Sequence, residues 1–418
     1  MILKKETTSL FKNQNFVSFF IGQNLSAFGD WFRTIATIGL IYELTGRATH
    51  LSILFICSML PLILTSMLLS PIIDKFSYKK VVIFADLARF IIGLGFVLVV
   101  TLNVTPFILY FLLALNGAFS GIYLPARSSM IPEILDKEQL SKGNSILATS
   151  FSASMLIATG VGGLVTEIWS VSTIYLVDAM TFLLSAMLLI PIKAKETSEK
   201  KEYVSYVQSF KEGIEEIKGS PKIQSAIWIL MSREFALSIV YVMFSLYILE
   251  VAKEGNFGLG LGHTISGLGQ IIGGITLAAY FKKAKFSFQF YKRWSTVSII
   301  LLAILHALSY QQTNFIGFLF VVLLANLLYS PVEVLYSTNI MTYASSHLRA
   351  RVFSAGLALS RIFYISGFII MAFIGDLIPI HVIAMCMAGL VILAGLMNNL
   401  LLLKEKQQDE SKREMHSL

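Results

Sequence analysis

The sequence predicts an all-α membrane protein of twelve transmembrane helices arranged as two pseudo-symmetric six-helix halves, and three observations carry that prediction. The first is composition: the 418 residues are 56% hydrophobic and 14% charged, with a mean hydropathy of +0.73. A soluble chain is about half apolar and about a quarter charged. The second is a succession of twelve apolar segments, each about as long as a helix must be to cross a bilayer. The third is the distribution of Lys and Arg, which alternates from one junction to the next. Strands are excluded because the runs are about twice the length of a barrel strand and lack period-2 alternation.

The segments follow in order. The first, 16–42, carries FGDWFRT at its centre; it is too long and too polar there for a cleavable signal peptide and is expected to remain. Segments 48–73 and 79–102 flank the polar turn DKFSYKK, and 105–124 ends in GIYLPARSSMIPEILDKEQLSKGNS. Segment 142–166 contains ATGVGG and 170–192 contains Asp178. Residues 193–223 are the one extended polar insertion. There Val207, Phe210, Ile214 and Ile217 recur at helical spacing among charges, so an amphipathic helix along the inner face is expected. The second set is 224–249, with Arg233-Glu234; 257–281, rich in Gly; 289–310, with His306; 314–337, with Glu333; 350–374, with Arg361; and 378–403. The expected organisation is a first half at 1–192, a linker at 193–223, a second half at 224–403 and a cytoplasmic tail at 404–418.

Arg47 and Lys253 are the two basic residues that fall in odd-to-even junctions. The rest, apart from four arginines inside the spans, lie at the termini and the other junctions, including KKAKFSFQFYKR at 282–293. That bias puts both termini and the linker in the cytoplasm of a multi-pass plasma-membrane protein. It also accounts for the net charge of +8: the basic surplus sets topology and interacts with lipid headgroups, and no nucleic acid is expected as a partner. Cys57 and Cys386 are too sparse for a disulfide framework or a metal site. No nucleophile elbow, nucleotide loop or paired-Cys spacing is present, so an enzyme is not expected. The glycines of 257–281 lack a preceding strand and a following GK[ST], and read as close-packing residues. His306 reads as a core histidine.

The two halves repeat. GIYLPARSSMIPEILDKEQLSKGNS (121–145) and SPVEVLYSTNIMTYASSHLRARVFS (330–354) each place a Pro late in a span before a polar turn with basic ends, half a chain apart. Internal repeats of this kind are how secondary transporters build a site at the bilayer midplane.

Apart from the basic residues that flank the span ends, nine charges lie inside the spans: Arg33, Arg89, Arg233, Arg361, Asp30, Asp86, Asp178, Glu234 and Glu333. Each costs about 3 kcal/mol at a helix centre on insertion scales, so each must be paired or face water. The basic four are all Arg, whose planar fork matches a carboxylate bidentately and stays charged. Asp30 and Arg33, three apart, share a helix face. They are either a self-neutralising structural pair or the proton-titrating acid and anion fork of a cavity. Adjacent Arg233 and Glu234 point about 100° apart and are not expected to share a face. The candidate proton-coupling acids are Asp30, Asp178, Glu234 and Glu333, and the candidate substrate forks are Arg33, Arg233 and Arg361.

Together SPIIDKFSYKKVVIFADLAR (70–89), PARSSMIPEILDKEQLSKGNS and LRARVFS resemble the major facilitator superfamily over nearly the whole chain. The last two stretches are similar to its branch of macrolide-efflux pumps and enterobactin-type siderophore exporters. The resemblance implies a cavity between two rocking halves, lined in part by spans 1, 7 and 11, so that Arg33, Arg233 and Arg361 converge. It also implies a gating set of Asp74, Lys75, Lys79, Lys80, Asp86, Arg89 and Arg127. Ala158-Thr159-Gly160-Val161-Gly162-Gly163 stands where drug antiporters of the family often carry Gly-Pro-x-x-Gly-Gly, which weighs against drug antiport. The expected function is a monomeric, proton-driven exporter of a small-molecule anion such as a carboxylate siderophore of the staphyloferrin class, with no cofactor beyond the proton gradient. Macrolide or multidrug efflux is the runner-up, and a lipid flippase a third reading.

Overall fold

The computed structural model describes residues 10–102, 105–193, 206–281 and 287–417. Every regular element among them is helical. Part of the expected linker (194–205), the start of the basic run at 282–286 and the side chains beyond Asn398 lie outside what is described. Nine helical stretches among the described residues are long and apolar enough to cross a membrane.

Six long helices come first: α1 (Gln14–Thr45), α2 (Ala48–Ile73), α3 (Tyr78–Thr101), α4 (Pro106–Ile134), α5 (Leu140–Ile168) and α6 (Val171–Leu189). Then follow α7 (Tyr206–Gly219), α8 (Pro221–Leu246), α9 (Gly255–Phe281), α10 (Phe288–Ser309), α11 (Phe315–Leu327), α12 (Tyr329–Tyr343), α13 (Arg349–Ile374) and α14 (Ile380–Ser417). Local chemistry sets the boundaries. The Asn13 side chain accepts from the backbone N–H groups of Asn15 and Phe16 at the start of α1, and Gly46, at φ +60°, closes its end in the left-handed conformation. Ser170 caps α6 by accepting from the Thr173 N–H. Span 10, expected as one helix, is broken at Leu328 into α11 and α12, and α12 runs six residues past the expected end at 337. The expected tail at 404–418 is a continuation of α14 as far as Ser417.

Two compact units result. One comprises residues 1–201 with 253–264, the other 202–252 with 265–418. The first turns of α9 therefore belong with the first six helices. Gly260 explains how: a Cβ there would lie 2.4 Å from the Thr159 carbonyl oxygen of α5, an approach only glycine permits. Within the first unit α1 packs on α6 and α5, α2 on α4, and α3 on α6 and α4. Within the second, α13 and α14 pack on α8, α10 on α14, and α12 on α8 and α10.

The described part of the polar insertion holds the helix α7, and its apolar residue Ile217 is buried with Ile223, Ile227, Tyr291 and Val352 of the second unit. Glu216 accepts from the Ser345 N–H at 3.0 Å and its hydroxyl at 2.8 Å, and Glu212 pairs with Arg351. Its apolar face is thus spent on protein packing.

Candidate functional site

In the first unit the Asp30–Arg33 pair is one edge of a larger cluster. Arg33 donates from Nη2 to Asp30 at 2.6 Å and to Asn116 of α4 at 3.3 Å, and from Nε to Asp178 of α6 at 2.8 Å. Arg89 of α3 pairs with Asp86, one turn away, and its Nη1 lies 3.6 Å from Asp30. Ser185 of α6 donates to the second oxygen of Asp86 at 2.8 Å. The Arg89 guanidinium lies between the rings of Tyr123 and Phe182, 4.1 and 4.3 Å from their centroids, each contact contributing about 0.5–2 kcal/mol.

Two features of α1 make this convergence possible. Gly29 precedes Asp30, and a Cβ there would lie 2.7 Å from a carboxylate oxygen of Asp178, so the missing side chain lets α6 bring that carboxylate beside Arg33. Thr37, one turn beyond Arg33, meets the Tyr175 hydroxyl at 3.0 Å and fixes the same helix pair. Exposure then divides the members. Asp86, Asp178 and Arg89 are sealed from solvent, whereas the Asp30 side chain is 32% exposed. Three carboxylates meet two guanidiniums, leaving one acid in surplus.

The second unit holds a matching arrangement of different charge. Arg233 of α8 donates to Glu333 of α12 at 2.5 Å and to its own neighbour Glu234 at 2.6 Å, and Arg361 of α13 donates to the other oxygen of Glu234 at 3.3 Å. Arg233 and Glu234, expected not to share a helix face, nonetheless meet through their side chains. Their Cα–Cβ bonds diverge, but two long side chains curl back toward a common point. Tyr329, at the break between α11 and α12, lies 4.6 Å from the Arg233 guanidinium. Gly269 and Gly273 bring α9 against the Leu323 and Leu327 carbonyls at that break.

The structure thus joins Asp30, Arg33, Asp178, Asp86 and Arg89 in one cluster and Arg233, Glu234, Glu333 and Arg361 in another. Arg33 and the forks Arg233 and Arg361 belong to separate units. The remaining gating candidates are placed elsewhere. Asp74 accepts from the Tyr78 hydroxyl at 3.0 Å, and Lys79 donates to the Ile190 and Ile192 carbonyls that end α6. Lys75 and Lys80 are exposed. Arg127 donates to Gln23 of α1 at 2.8 Å and lies 5.8 Å from the Phe151 ring. His306 is buried, as a core histidine should be, yet its Nδ1 has no hydrogen-bond partner among the described residues. Sequence reasoning missed Asn116 and Ser185 and gave Tyr329 little weight among the aromatic residues of the spans. Each is a polar residue in an apolar span, a signal shared by many residues that merely bond to their own helix.

The family model for the Major Facilitator Superfamily matches residues 19–362. The chain belongs to this superfamily. Among its relatives are the uncharacterised MFS-type transporter YfiS of Bacillus subtilis, 24% identical with 52% of this chain and 53% of that protein aligned. Macrolide efflux protein A of Streptococcus pyogenes is 20% identical over 63% and 66% of the two chains, and the Staphyloferrin A transporter of Staphylococcus aureus 21% identical over 45% and 48%. The chain thus spans about half to two thirds of these relatives' length. The resemblance to the branch of macrolide and siderophore exporters stands. The crystal structure of the nucleoside transporter NupG superposes with a TM-score of 0.75 at 14% identity, covering 93% of this chain and 99% of that one. The chain is accordingly a multi-pass membrane protein of this superfamily with efflux-type relatives.

Proposed function

We propose that this superfamily member is a proton-coupled exporter of a small carboxylate-bearing metabolite, built of twelve spans in two six-helix halves with both termini in the cytoplasm. One observation carries the reading: the buried cluster of three carboxylates and two guanidiniums in the first unit. A surplus negative charge at that depth is costly unless something neutralises it, and a proton is the counter-ion always available. Asp30 is the member through which that proton arrives, because it is the exposed carboxylate and it touches both arginines. A proton on Asp30 loosens its hold on Arg33 and Arg89, which then close on Asp178 and Asp86. Protonation is thereby tied to the packing of α1 against α3 and α6, the movement an alternating-access cycle needs.

Placed between Asp30 and Asp178, Arg33 is better suited to reading the proton than to gripping an anion, so the substrate fork passes to Arg361. A carboxylate siderophore fits such a fork, and similarity to the Staphyloferrin A transporter supports it. Macrolide efflux is the second reading, favoured by similarity to macrolide efflux protein A and opposed by the charge of both clusters. Everted vesicles provide the test. Asp30→Asn should abolish export against a gradient driven by an imposed pH difference, while downhill exchange continues. Uphill export that survives the change sinks the assignment of the proton to Asp30.

A further inference from the structure

The second unit's four charges form a line of alternating sign: Glu333, Arg233, Glu234, Arg361. The inner two are buried, with side chains 5% and 6% exposed, and each spends two atoms on its neighbours. The outer two are open, Glu333 at 48% and Arg361 at 45%. Glu333 commits Oε2 and Arg361 commits Nη1 to the line. Each end therefore retains hydrogen-bonding capacity of its own sign. Arg361 lies near the middle of α13 and Glu333 well inside the apolar stretch 315–343. Charges held open at such depth must face water and not lipid.

From this geometry we infer that the exported molecule is a zwitterion, with an ammonium taken by Glu333 and a carboxylate taken by Arg361. This rests on the exporter reading above and narrows its substrate class. The line is neutral as a whole, so a ligand with one charge leaves one open end unanswered and adds a net charge to a low-dielectric site. A ligand with both charges answers both ends and adds none. Arg361 offers a planar fork for a carboxylate, while Glu333 accepts from any of an ammonium's three donors. Three links of 2.5, 2.6 and 3.3 Å, with a guanidinium and a carboxylate between them, separate the two ends. Because a guanidinium and a carboxylate stand between the two ends, a ligand whose charges are several bonds apart, as at the termini of a small peptide, answers them better than one whose charges share a single amino-acid carbon.

The test uses the full-length chain, purified and in proteoliposomes, with four probes: L-alanyl-L-alanine, its N-acetyl derivative, its C-terminal amide, and citrate. The unblocked dipeptide should bind at least about tenfold more tightly than either blocked form, since each block removes one charge-assisted hydrogen bond. Glu333→Gln should erase the preference over the N-acetyl form and keep the preference over the amide. Arg361→Gln should do the converse. Glu333→Asp and Arg361→Lys should restore part of each preference, which separates recognition from a mere loss of folding. Equal binding of blocked and unblocked dipeptides overturns the inference, as does Glu333→Gln with its amine preference intact. Citrate carried against a pH gradient by a protein that ignores the dipeptide overturns the zwitterion and leaves the exporter standing. Vesicles that respond to no pH gradient with any probe overturn the exporter reading itself.

Discussion

Replacing Arg33 with Gln removes a guanidinium that ties α1 to both α6 and α4. In the native protein its guanidinium reaches Asp178 at 2.8 Å, Asp30 at 2.6 Å and Asn116 at 3.3 Å. Of these, Asp178 is fully buried, so the substitution strands a carboxylate that cannot turn to water. Breaking a buried pair from one side costs about 3–5 kcal/mol, and Arg33→Gln should lose that much stability. Asp178→Asn should be far milder. Arg33 keeps Asp30, and the amide oxygen still accepts from Nε, so the loss is the difference between a charged and a neutral hydrogen bond, about 1 kcal/mol. The informative variant is the double one. With Asn at 178 no charge is stranded when Arg33 is removed, so the pair of changes should cost less than Arg33→Gln alone, a coupling of about 2 kcal/mol or more. Thermal unfolding of the detergent-solubilised protein, followed by the fluorescence of its four tryptophans, measures all three variants. Additive losses would refute the argument that a stranded Asp178 charge is what Arg33 prevents.

Two further outcomes follow from the packing. Gly260→Val places a branched side chain where a Cβ alone would lie 2.4 Å from the Thr159 carbonyl. It should cut the yield of folded protein in size-exclusion chromatography, while Gly46→Asn, at an open αL turn, should leave it nearly unchanged. The Glu216 carboxyl is held below its usual range by the hydrogen bonds it accepts from the Ser345 backbone and hydroxyl. Its contribution to holding α7 is full above the ordinary Glu value near about 4.3 and fades as the pH falls through the lower native value. Amide exchange at Ser345 should therefore speed up at acid pH relative to its neighbours, and Glu216→Gln should remove that dependence.

The long helices were legible because bilayer crossing imposes a length and an apolarity that composition alone reveals, and the positions that must carry charge stood out against that background. Which charges meet was not legible. Asp30 and Arg33 pair by helix periodicity, a relation of three residues. Arg33 and Asp178 are 145 positions apart, Arg33 and Asn116 83 apart, and Ser185 and Asp86 99 apart. Such distances are set by how helices pack, and packing here depends on small residues such as Gly29 and Gly260, whose contribution is the absence of a side chain. The contact between Arg233 and Glu234 was hidden for the same reason. Periodicity describes where Cβ atoms point, whereas a guanidinium several bonds further on goes wherever two carboxylates draw it. The divergent charge of the two clusters, one acid in surplus in the first unit and balance in the second, became visible only when contacts replaced positions. On the function proposed above, that difference divides the labour: the surplus acid takes the proton, and the balanced line, open at both ends, takes a ligand as neutral as itself.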